Sequence, residues 1–95
     1  MKTLQNFING KKVSATSDKV QDLINPSTGE VFAKAPVSNA SDVDKAMKSA
    51  ANAFEVWKES TPGERQKAIN KIADAIEARS EELIGIESEN TGKPI

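Results

Sequence analysis

The chain has 95 residues, enough for one small domain or for part of a larger one. Its 13 basic and 14 acidic residues are interleaved, with only Lys11 and Lys12 side by side as a basic pair in the first third, so the footprint of a nucleic-acid binder is missing. It has neither Cys nor His, which removes disulfides, thiolate nucleophiles, imidazole bases and nearly all transition-metal sites together.

No apolar run approaches the length of a membrane span or a signal-peptide core, so no membrane partner is expected and a cytoplasmic chain is the working expectation. The N-terminus passes directly from Met1 into sequence that reads as folded. Phe7 to Val13 reads as a tight hairpin, because Asn9-Gly10 supplies the two positive-φ positions of a type I′ turn. Ser14 to Lys19 is small, polar and connecting. Val20 to Ile24 reads as a strand stopped by Asn25-Pro26, with Ser27 to Glu30 supplying turn chemistry. Val31 to Ala35 returns as its partner and ends at Pro36. The first third, residues 1–37, is thus expected to be a pair of short antiparallel hairpins, which need something to lie against.

Residues 41–92 read as helical. Ser41 is the expected opening of the first helix, with Asp42 and Asp44 complementing its dipole. Val43, Ala46, Met47, Ala50, Ala53, Phe54 and Trp57 recur at helical spacing and form one apolar stripe. Thr61-Pro62-Gly63-Glu64 marks the next helix start: a hydroxyl cap, a proline at the first helical position and a glutamate placed for a capping box. Ile69, Ile72, Ala73 and Ile76 carry the stripe of this second helix. A break is expected near Arg79-Ser80, with Ser80 capping a short third helix that Gly92 closes at positive φ before Pro94. Ile95 after a proline reads as the opening of an extended segment, as though the chain continued.

The residues offer few chemical sites. Glu81, Glu82, Glu87 and Glu89 are read as dipole complement and solvated face, not as an acid–base pair. Thr91-Gly92-Lys93 lacks the upstream glycine of a phosphate loop and follows a helix where such a loop precedes one. Met47, Phe54 and Trp57 are read as core, so that Trp57→Ala should cost about 3–5 kcal/mol.

Taken in order, several stretches resemble the opening of an aldehyde dehydrogenase. They are Phe7 to Lys11, Ile24 to Val31, Asp42 to Ala46, Ala53-Phe54 with Trp57, Thr61 to Arg65, Ile72 to Asp74, and Glu87 to Pro94. The resemblance covers essentially all 95 residues, and within the superfamily it is closest to the aminoaldehyde and betaine-aldehyde type. It implies an α+β piece, residues 1–95, of a cofactor-binding domain: short antiparallel hairpins followed by two or three antiparallel helices. It also implies a longer homo-oligomeric enzyme that oxidises an aldehyde to an acid with NAD or NADP. Its catalytic cysteine and Gly-rich cofactor turn would lie beyond Ile95, so no catalytic or cofactor-binding residue and no bound cofactor is expected within these 95. One family site maps inside the chain, a monovalent cation held by backbone carbonyls and an acidic side chain; the matching positions are Leu23, Ile24 and Asn90, with a neutral amide in place of the acid. The expected partners are the remainder of the dehydrogenase or a second copy. The alternative is a stand-alone, non-catalytic interaction or oligomerisation module derived from the family.

Overall fold

In the computed structural model residues 2–95 are described; Met1, where the expected strand-rich segment begins, lies outside the described residues. Asn9 and Gly10 take φ of 53° and 75°, the left-handed pair that a type I′ turn requires. They join β2 (Asn6–Ile8) to β3 (Lys11–Val13), with Ile8 opposite Lys11 and Asn6 opposite Val13. The second hairpin pairs β4 (Val20–Ile24) with β5 (Val31–Pro36) in antiparallel register, from Val20 opposite Pro36 to Ile24 opposite Val31. Asn25 ties the turn between them: its carbonyl accepts from Thr28 and Gly29 N–H, and its side chain accepts from Ser27 N–H at 2.9 Å.

The pair of hairpins is incomplete as a description. A two-residue strand, β1 (Lys2–Thr3), runs parallel to β5 with Lys2 opposite Ala33, giving a three-stranded sheet in the order β1-β5-β4. The β2–β3 hairpin forms a separate two-stranded sheet.

Three helices follow: α1 (Ala40–Trp57), α2 (Pro62–Ala78) and α3 (Ser80–Thr91). Asn39, not Ser41, caps α1. Its side chain accepts from Asp42 N–H at 3.0 Å, and Asp42 returns the bond by accepting from Asn39 N–H at 3.0 Å. A side-chain cap of this kind stabilises a helix by about 1 kcal/mol. At the next turn Thr61 accepts from Glu64 N–H at 3.2 Å, Pro62 opens α2 as expected, and Arg65 Nη1 donates to the Ser60 carbonyl at 2.6 Å. The break at Arg79 is present, but Ser80 is the first helical residue and not a side-chain cap. Arg79 grips Glu82 there through two guanidinium bonds of 2.9 and 2.8 Å. That hydrogen bond, followed by the charge of Arg79, holds the Glu82 carboxyl below its ordinary range. Gly92 ends α3 with φ 78°.

The core assignment needs correction. Only Ala15 and Ala33 are buried apolar residues among those described, and no side chain is fully enclosed. Met47, Phe54 and Trp57 are 64, 56 and 47% exposed. The reason is the shape: the Cα atoms fill a slab of 48 × 34 × 16 Å with a radius of gyration of 16.9 Å. A compact domain of this length has a radius of about 12 Å. The helical stripes are amphipathic as the sequence predicts, yet among the described residues no second layer lies over them.

Candidate functional site

The three residues mapped to a cation site, Leu23, Ile24 and Asn90, come from two distant elements. Leu23 and Ile24 end β4, an outer strand of its sheet, so among the described residues one side of its backbone has no strand beside it. Between them the ladder is irregular: Leu23 faces Ala33 while Ile24 faces Val31, leaving Phe32 as an extra residue in β5. Such a bulge disrupts regular pairing at the two residues in question. Asn90 lies in the last turn of α3, exposed to solvent.

The fold brings these two ends toward each other. A Cβ built on Gly92 would lie 3.0 Å from Pro26 Cγ and 3.6 Å from Ser27 Oγ, so the end of α3 rests on the turn that follows β4. The end of a helix carries partial negative charge from its last carbonyls, which favours a cation. Ser88 Oγ donates to the Lys93 carbonyl, Thr91 Oγ1 donates to the Glu87 carbonyl at 2.7 Å, and Lys93 Nζ reaches Glu87 at 3.4 Å. These bonds make Thr91-Gly92-Lys93 a helix terminator, in agreement with its sequence context.

The acidic side chains do not converge. Glu82 is taken by Arg79 and Glu87 by Lys93, and no group of three potential metal ligands forms among the described residues. A nucleotide cradle is not built here either. The nearest pair of glycines is Gly85 and Gly92, too far apart for a dinucleotide-binding turn, and Gly92 follows a helix.

One buried polar group escaped the sequence reading. Asp42, expected only to complement the dipole of α1, is 4% exposed and accepts from Thr16 N–H at 3.0 Å as well as from Asn39. An acid in the first helical turn signals a dipole partner or a cap, and nothing local announces a loop 26 positions upstream.

The arrangement is matched elsewhere. The chain is 46% identical over 92 residues to a 2-aminomuconic semialdehyde dehydrogenase of Danio rerio, a match covering 97% of this chain and 18% of that protein. An aldehyde dehydrogenase from Bartonella henselae superposes with a TM-score of 0.96 at 32% identity, over 99% of this chain and 20% of the other. An NAD-dependent aldehyde dehydrogenase from Sinorhizobium meliloti superposes at 0.91 with 40% identity, again over 99% and 20%. The chain thus spans about one fifth of the length of the curated relatives it matches, and its three helices and small sheets correspond to the N-terminal part of their α+β fold. The family model for the aldehyde dehydrogenase family matches residues 12–95, almost the whole chain, and the chain belongs to that family.

Proposed function

We propose that these residues are the N-terminal portion of a cytoplasmic, NAD- or NADP-dependent aldehyde dehydrogenase that oxidises an aldehyde to a carboxylic acid. In this reading the 95 residues are scaffold and catalyse nothing alone. One observation carries the second half: the chain contains no cysteine, while the chemistry expected of the family runs through a cysteine thiolate. Purified chain mixed with NAD or NADP and a panel of aliphatic, aromatic and amino-aldehydes is expected to give no reduced nicotinamide above the blank. Turnover above the blank would overturn the reading.

The uncovered surface bears on partners. A folded monomer of this mass exposes about 5,300 Å², and this chain exposes 7635 Å². The excess of roughly 2,300 Å² is well above the ~800 Å² per partner of a standard interface. It supports a partner in either of two forms, the remainder of the dehydrogenase or a second copy. The second form is also what a stand-alone, non-catalytic association module would use.

Leu23 and Ile24 carbonyls with the Asn90 amide oxygen are proposed as a weak monovalent-cation site, supported by the bulge at Leu23–Ile24 and the α3 end resting beside it. A hard cation accepts carbonyl and amide oxygens, but the amide brings no charge to offset it. Replacing tetramethylammonium by potassium or sodium at equal ionic strength is expected to stabilise the chain by less than about 1 kcal/mol. Asn90→Asp should enlarge that response, and an unchanged response in the variant would remove the site.

A further inference from the structure

The helical part leaves the strand part after Pro36 and is tied back to it at its start by a small polar knot. Asp42 Oδ2 accepts from Asn39 N–H at 3.0 Å, and the Asn39 side chain accepts from Asp42 N–H at 3.0 Å, which already completes the cap of α1. The other oxygen, Oδ1, is not needed for that cap. It accepts from Thr16 N–H at 3.0 Å, in the segment that joins β3 to β4 and so links the two sheets. Thr16 Oγ1 in turn donates to Asn39 Oδ1 at 3.1 Å. Two backbone donors from separate segments therefore end on one carboxylate. Ionised acceptors of this kind form the stronger class of hydrogen bond.

A backbone bond from Val37 N–H to the Lys19 carbonyl at 2.9 Å extends the β4–β5 ladder without reaching α1, and two other side-chain ties at this junction are weaker supports. Asn6 Nδ2 donates to Ser38 Oγ at 2.8 Å and Ser17 Oγ donates to the Val37 carbonyl, but both bonds are exposed, where water competes. Asp42 is the buried polar residue of the described chain.

We infer that Asp42 is the lock between the strand part and the helical part, fixing the angle at which α1 departs and hence how the uncovered helical faces are presented. It is a positioning residue. Its action reaches the partner surface through the direction of α1, with no contact to a partner required.

The electrostatics agree with a lock closed at neutral pH. Asn39 N–H first, and Thr16 N–H next, hold the Asp42 carboxyl below its ordinary value of 3.8, against a smaller upward push from burial. Lys45 on the same helix adds a further attraction, while Thr16 and the neighbouring Asn6, Phe7 and Ile8 bring no titratable side chain. Because the folded value is the lower one, the contribution is complete above pH 3.8 and is lost as pH falls through the folded value.

Residue-resolved amide hydrogen exchange on the full chain tests the lock. Asp42→Asn keeps the shape, removes the charge and turns an N–H donor toward a position that must accept. The Thr16 and Asn39 amides should then exchange at least about tenfold faster, the scale of one lost hydrogen bond to a charged group. The Asn25 amide in the β4–β5 turn and the Lys58 amide at the end of α1 should not change. Unchanged exchange at Thr16 would overturn the inference, and so would equal acceleration at Asn25 and Lys58, since Asp42 would then only support general stability. Acidification of the parent chain is the second measurement, usable should the variant not fold. Thr16 should lose protection at a higher pH than Asn25, and simultaneous loss would overturn the lock.

Discussion

Replacing Phe54 and Trp57 by serine is expected to abolish association of the chain while leaving its melting transition nearly in place. The core reading of the sequence predicts the opposite, a loss of about 3–5 kcal/mol for Trp57→Ala alone. The structure decides between them. Phe54 and Trp57 are about half exposed, and Trp57 lines an open groove with Ala53, Val56, Ser60 and Glu64. Truncating a side chain that covers little within its own chain changes stability by about 0.5 kcal/mol or less at ordinary surface positions. An aromatic anchor in a partner interface contributes about 2 kcal/mol or more, roughly thirtyfold in affinity. Light scattering at micromolar concentration should therefore show the parent associating through its helical faces and the double serine variant as a monomer. A parent that is already monomeric, or a variant that unfolds, would contradict this.

That contrast shows where the sequence stops being legible. Helical periodicity places Val43, Met47, Phe54 and Trp57 on one face of α1, and the face exists. Periodicity marks a face that wants cover; it carries no information on whether the cover lies in the same chain. The hairpin at Asn9-Gly10 and the strands β4 and β5 were readable because their signals are local: turn residues that must take particular φ values, and a proline that stops a strand. β1 was not readable, since two residues pairing in parallel with a strand some thirty positions later leave no local pattern. The cap of α1 lies two residues before the expected Ser41 for a related reason. Asn39 and Ser41 are both competent caps three residues ahead of an aspartate, and what selects Asn39 is Thr16, which holds both Asn39 and Asp42 from outside the helix. Ser80 lost its expected capping role to Arg79, whose grip on Glu82 secures the start of α3 from the guanidinium side. For the proposed cation corner, the resemblance supplies the residues, and the fold contributes the bulge at Leu23–Ile24 and the closeness of the end of α3 to the turn after β4.

The same corner yields the second large effect, an alanine at Gly92. Gly29 and Gly92 have nearly equal positive φ, 76° and 78°, so a side chain at either meets a similar left-handed penalty of roughly 1–2 kcal/mol. Their surroundings differ. A Cβ at Gly29 would meet nothing within 4 Å, whereas at Gly92 it would press on Pro26 Cγ at 3.0 Å. The pyrrolidine ring is held by its own closure and by the Asn25 turn, so it yields only if the turn or the end of α3 shifts. Gly92→Ala is therefore expected to cost about 1 kcal/mol beyond Gly29→Ala, within the usual range for overpacking. The excess should appear as lost amide protection at Gly92, whose N–H bonds to the Ser88 carbonyl at 2.8 Å. It should equally loosen Gly29, whose N–H bonds to Asn25 at 2.8 Å across the turn being pushed. If both alanines cost the same and the turn amides keep their protection in Gly92→Ala, then α3 does not bear on the β4–β5 turn. The proposed cation corner would lose its geometric basis with it.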